Sequence, residues 1–186
     1  MLLREQADFD VARRLREGCA SIGEVYTFIS GLYFRGKIAY AEAFRAALAG
    51  IPPVLVIVPG AGLVPPHTVI DLEQLRAIAD VPVAEENAIY RDTLQRSAAT
   101  LDRHAGPACS YVLLGSIASG KYTGPLLEIF GERLLFPSDF IGRGDMSRGG
   151  LMLRCARSGT ELPYVPVKGA LRHGARPPRL EPWPKQ

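Results

Sequence analysis

The run Pro53-Val-Leu-Val-Ile-Val58, closed by Pro59-Gly60-Ala61-Gly62, constrains the fold more than any other stretch of this chain. Five apolar residues in succession, four of them β-branched, read as a strand buried on both faces, the pattern of a strand inside a parallel sheet. Other strand-like runs are Val25–Ile29, Tyr111–Leu114 and Leu134–Phe136. Leu162–Val167 reads as an edge strand, because Pro163 and Pro166 exclude it from a sheet interior. Helical spacing covers residues 7–17, stopping at Gly18, and 36–49, stopping at Gly50. It recurs from an Asp71 cap to Ala79, over 85–104, and from Asp145 or Ser147 to Arg157, ahead of Gly159. Strands alternating with helices predict an α/β fold, a three-layer Rossmann-like arrangement with a mostly parallel sheet and helices on both faces. Right-handed crossovers would then set the strand-to-helix loops on one edge.

A length of 186 residues suits one such domain, assigned to residues 1–167, followed by a tail at 168–186. The tail carries five basic residues against one acidic, a net of +4 in a chain of net charge +3, so residues 1–167 sum to −1. A nearly neutral body weakens the case for a nucleic-acid-binding face within the fold. With Pro177, Pro178, Pro182 and Pro184, the tail reads as an extended arm, and a nucleic acid is a partner open to it. Cys19, Cys109 and Cys155 form neither a C-x-x-C pair nor a disulfide framework. The opening residues lack the apolar core of a signal peptide, so the expected location is cytoplasmic.

Four predicted strand ends run into glycine-rich or charged sequence: Ser30-Gly31 leading to Tyr33 and Arg35-Gly36-Lys37, then 60–62, 115–121 and 142–145. In an open α/β sheet those ends share the edge where ligands bind. The third, Gly115-x-x-x-x-Gly120-Lys121, is one residue short of a phosphate-binding loop, because Tyr122 stands where that loop needs a Ser or Thr hydroxyl for Mg²⁺. Gly124-Pro125 predicts a helix that starts only at Pro125, which leaves Lys121 in the loop, and no acidic strand end follows. A nucleoside-triphosphatase of the standard kind is therefore not expected. A looser anion site is, with backbone N–H groups of Gly115, Ser116, Ser119 and Gly120 forming a nest and Lys121 supplying charge.

Arg143 and Arg148 flank a predicted helix start and would bind an anion there; Asp145 between them is the best-placed carboxylate for general-base or hydroxyl-binding duty, or else a plain helix cap. Tyr33 beside Arg35 can stack on a base or belong to the core. Glu85-Glu86 reads as a catalytic pair or as ordinary first-turn acids. His67, His104 and His173 lack metal-ligand spacing, and no cofactor is indicated.

The order of Leu32–Phe44, Gly62-Leu-Val-Pro-Pro66, Tyr111–Tyr122 and the glycine-rich helix start at 142–150 resembles a group of small bacterial Rossmann-like proteins. That group is similar to the family of the peroxide-stress protein YaaA and to nucleoside deoxyribosyltransferase-like folds. The resemblance implies a three-layer α/β fold and a nucleotide- or nucleobase-related ligand, and it carries over no catalytic residue. Together these readings predict a nucleotide, nucleoside or phosphorylated ligand, and chemistry at an N-glycosidic or phosphoryl centre.

Overall fold

Val54, Val56 and Val58 are buried and Leu55 and Ile57 half-buried, but not by a parallel sheet. In the computed structural model, which describes residues 2–4 and 6–180, strand β2 (Val56–Val58) turns back through Pro59-Gly60-Ala61 onto the antiparallel strand β3 (Gly62–Val64). Gly60 at φ 77° and Gly62 at φ 79° take the left-handed conformations this tight return requires. The resulting hairpin lies between two hydrophobic clusters. Val56, Val58 and Val64 face one, while Ile57 and Leu63 face the other.

The smaller cluster joins helix α1 (Asp10–Arg16), the first arm of α2 (Ile22–Phe44), β2 and α3 (Leu72–Ala79) through Leu15, Ile22, Val25, Val58 and Leu75. A two-residue antiparallel pair, β1 (Ala20–Ser21) with β4 (Val69–Ile70), closes it. The larger cluster gathers α4 (Ala88–Ala105), α5 (Gly120–Phe130) and α6 (Asp145–Ser158) around a three-stranded sheet. Its order is β5 (Tyr111–Val112), β6 (Leu134–Pro137), β7 (Tyr164–Pro166), with β5/β6 parallel and β6/β7 antiparallel. Asp102 fastens α4 to this sheet by accepting Arg133 Nη1 at 2.6 Å, Arg133 Nη2 at 2.8 Å and the Tyr111 hydroxyl at 2.9 Å. These donors hold its carboxyl below the usual range, the Arg133 bonds contributing most.

The three-layer Rossmann-like expectation is thus overturned. Among the described residues 49% are helical, the sheets have two or three strands, and β5/β6 is the one parallel pair. The predicted strand Val25–Ile29 is helical, because Ser21 and Glu24 form a capping box that starts α2 four residues earlier. Ser21 Oγ accepts the Glu24 N–H at 3.3 Å, and the Glu24 carboxylate accepts the Ser21 N–H at 2.9 Å. A satisfied helix start outweighs the weak β preference of Val, Tyr, Thr and Ile. The predicted turn at Ser30-Gly31 persists as a kink, with Gly31 at φ 55° between two helical arms.

The second arm of α2 crosses α6 with backbones in contact. A Cβ on Gly36 would lie 2.6 Å from the Gly149 carbonyl oxygen, and one on Gly149 would lie 2.8 Å from the Leu32 carbonyl oxygen. Tyr33, Gly36, Lys37 and Tyr40 on α2, and Asp145, Arg148, Gly149 and Met152 on α6, occupy equivalent i, i+3, i+4, i+7 positions. Each glycine therefore brings its own helix face against the other's.

The tail is not a free arm over its described part. Val167 donates to the Leu134 carbonyl at 2.8 Å, Lys168 pairs with Glu132 at 2.9 Å, and Arg143 donates to the Pro178 carbonyl at 3.3 Å. The Ala175 carbonyl lies where a Cβ on Gly142 would be, and Leu180 packs on Gly150. Pro182, Pro184 and Lys185 lie outside the described residues.

Candidate functional site

Of the four expected strand ends, two share an edge, because β5 and β6 are the parallel pair. The 115–121 loop leaves β5 and the 142–145 loop follows β6 by way of a single 3₁₀ turn at Ser138–Phe140. The other two do not join them: residues 60–62 form the hairpin return, and Ser30-Gly31 lies inside α2. Tyr33 still reaches the second loop, carried there by the glycine crossing. Arg35 does not; it is exposed, two residues and about 200° further round the helix.

At the first loop, α5 starts at Gly120 with Ser119 as its N-cap, not at Pro125. Pro125 lies inside the helix with its ring fully buried. Lys121 consequently belongs to the first helical turn, and its ammonium lies 5.2 Å from the centre of the Tyr122 ring. Gly115 is buried, Ser116 Oγ accepts the Ala118 N–H at 3.2 Å, and the Ser119 carbonyl accepts the Thr123 hydroxyl at 3.3 Å. Gly120 lies directly under the Glu85 carboxylate, where a Cβ would collide with it. The start of α5, expected as an open anion nest, already has an anionic neighbour from the chain itself. Glu85 and Glu86 are not first-turn acids of α4 either, since Asn87 caps that helix by accepting the Tyr90 N–H at 3.0 Å.

At the second loop both arginines are committed to backbone carbonyls. Arg143 donates to Asp139 O at 3.0 Å and to Ser147 Oγ at 3.2 Å, besides Pro178. Arg148 donates to Phe140 O through Nε at 3.2 Å and Nη2 at 3.1 Å, and faces Asp145 at 3.8 Å. Neither Asp145 nor Ser147 is the helix cap; Gly144 takes that position without a side-chain bond, and Asp145 is the first residue of α6. Its carboxylate is exposed, yet its charge reaches Tyr33, Lys37 and Tyr122.

An open cleft of about 230 Å³ adjoins these groups, lined by Tyr26, Ile29, Ser30, Ile57, Pro59, Val83, Tyr90 and Tyr122. It sits on the seam between the two clusters, with Tyr26 from one and Ile57, Val83, Tyr90 and Tyr122 from the other. Tyr90 is 1% exposed and its hydroxyl has no hydrogen-bond partner. Burial pushes the Tyr26 phenol up to about 12 and raises those of Tyr90 and Tyr122, so all three are neutral donors at pH 7. The Tyr33 hydroxyl is likewise buried and unpartnered. Arg148 lies near it and eases its ionisation, but the Arg148 N–H groups that make hydrogen bonds are aimed at Phe140.

Tyr26 and Tyr90 were not singled out by the sequence: Tyr26 falls in the run read as a strand and Tyr90 in the stretch read as a helix over 85–104. Among the described residues no group of three His, Cys, Asp or Glu side chains is arranged to hold a metal ion, and no helix is long and apolar enough to cross a membrane. No family model, curated protein or solved structure matches the chain.

Proposed function

We propose that this protein binds a nucleoside or nucleotide in the Tyr26–Tyr90–Tyr122 cleft, ring against the tyrosines and any phosphate toward Lys121. The observation that carries this reading is the Tyr90 hydroxyl, fully buried in the cleft wall with no partner. A buried unpaired donor costs about 1–3 kcal/mol, a cost that a ligand acceptor would remove. The cleft falls below the ~300–1,000 Å³ typical of sites for larger ligands, which favours a single base-sized ring. Chemistry at an N-glycosidic or phosphoryl centre belongs to the same proposal, with Asp145 as its carboxylate. So does action in the cytoplasm, supported by three free cysteines. The alternative, a nucleic-acid contact through the tail, draws less support from a tail whose residues 174–180 lie along the 142–150 stretch.

The test is calorimetric titration of nucleosides and their monophosphates into the full chain and into Tyr90→Phe and Lys121→Ala. Tyr90→Phe should weaken both ligand classes about 3- to 10-fold, the worth of one hydrogen bond. Lys121→Ala should weaken only the monophosphates. Absence of binding by the whole panel, or binding indifferent to Tyr90→Phe, would overturn the reading.

A further inference from the structure

The tail meets the body through contacts between residues 174–180 and the stretch 141–150. The Ala175 carbonyl takes the place of a Cβ on Gly142, and a Cβ on Gly174 would lie 2.5 Å from Ile141 Cγ2, so a glycine on each side brings the two backbones together. Arg143 donates to the Pro178 carbonyl at 3.3 Å, and Leu180 Cδ1 lies 3.3 Å from the Cβ position of Gly150. Arm and socket are thus fitted to each other. The linker between the body and this docked arm is different. Beyond the Ala170 N–H, which donates to the Val167 carbonyl at 3.1 Å, no group of Leu171, Arg172 or His173 makes a hydrogen bond or ion pair among the described residues. Gly169 takes φ 78° with open space around it. Leu171 in this linker is 70% exposed and Met146 in the socket stretch 67%, the two most exposed large hydrophobic side chains among the described residues.

We propose that this arm and socket also join two copies of the chain, each laying residues 174–180 in the other's 141–150 socket. Every contact between arm and socket in the closed monomer recurs in such a dimer, because the socket is the same on both copies and only the origin of the arm changes. The six linker residues 168–173 span at most about 20 Å, so the bodies approach with their sockets facing, as a two-fold axis provides. The dimer adds cover for what the monomer leaves in water. Its two linkers pass each other beside the axis, and Leu171 of each copy is withdrawn from solvent there, next to the socket edge that carries Met146. A second copy is the occupant that fits, since every copy brings the matched segment, with a glycine at 174 to clear Ile141 and the Pro178 carbonyl to accept from Arg143. The proposal does not rest on the nucleoside reading, because no residue lining the cleft belongs to the arm or the socket.

The experiment uses the full chain with photo-leucine in place of leucine, as light and ¹⁵N-labelled preparations mixed in equal amounts while dilute and then concentrated. Size-exclusion chromatography with light scattering separates monomer from dimer, and each fraction is irradiated and mapped by mass spectrometry. The arm's local concentration in its own chain is of millimolar order, so raising the mixture from about 10 µM to about 1 mM should raise the dimer fraction about 10-fold or more. In the dimer, half of the cross-links from Leu180 to the stretch around Gly150 should join a light chain to a heavy one; in the monomer, none should. Leu171→Asp, which places a charge where the linkers meet, should lower the dimer fraction about 10-fold and leave the thermal midpoint of the dilute monomer unchanged. A chain that stays monomeric at every concentration, a dimer whose Leu180 cross-links join only chains of equal mass, or a dimer indifferent to Leu171→Asp would overturn the proposal. If Leu171→Asp unfolds the chain, the isotopic pairing in the wild-type dimer decides alone.

Discussion

Tyr40 and Tyr90 are both 1% exposed, yet one hydroxyl is fully engaged and the other has no partner. Tyr40, near the end of α2, accepts the Leu162 N–H at 2.8 Å and shares a 2.7 Å bond with the Tyr164 hydroxyl, which itself donates to Glu161 at 2.7 Å. That chain ties α2 to the segment entering β7 and leaves nothing for a ligand to satisfy. Tyr90, at the seam of the two clusters, faces a cleft. Burial alone therefore does not separate a tyrosine whose hydroxyl is used within the fold from one whose hydroxyl is left over; the state of the hydroxyl does.

The largest expected effect tests what holds both regions in place. Gly36→Val puts a branched side chain where even one Cβ meets the Gly149 carbonyl, and should cost about 3 kcal/mol or more. Urea unfolding of the variant measures this, and retention of wild-type stability would refute the close crossing. Next comes the tyrosine pair itself. Tyr40→Phe orphans the Leu162 N–H and should cost about 1–3 kcal/mol, whereas Tyr90→Phe removes an unpaired hydroxyl and should be neutral or stabilising. Equal losses in thermal unfolding would erase the distinction. The smallest effect comes from an ion pair that lines no part of the cleft. Arg14 and the Ser21 N–H lower the Glu24 carboxyl to about 2. The folded value lies below the unfolded one, so its contribution is complete above about pH 4.5 and is lost as pH falls toward about 2. Glu24→Gln should flatten that part of the acid unfolding curve and leave nucleoside binding unchanged.

Elements with local instructions were legible. Asp71 caps α3 as its position before an apolar repeat predicts, accepting the Gln74 N–H at 2.8 Å. Gly159 ends α6 in the left-handed conformation at φ 68°, and the prolines of β7 keep that strand at an edge. The site was half legible. Tyr33, Arg148 and Asp145 lie together where α2 meets the start of α6, but Arg143, Arg148 and Gly120 have partners from within the chain that no motif reveals. Tyr26 and Tyr90 carried no signal, since they are brought to one cleft from segments about sixty residues apart.

The amino-acid order by itself marked the Asp71 start of α3 and the Gly159 end of α6, because caps and terminal glycines act over three or four residues, but it misplaced the starts of α2 and α5. It also marked Val54–Val58 as an apolar run withdrawn from solvent, fully at its valines and partly at Leu55 and Ile57. Which bodies bury it was decided only by tertiary structure: a hairpin held between two clusters satisfies the same apolar pattern as a strand inside a parallel sheet. Solvent exclusion depends on what covers a surface, and hydrophobicity along a chain does not encode the identity of that cover.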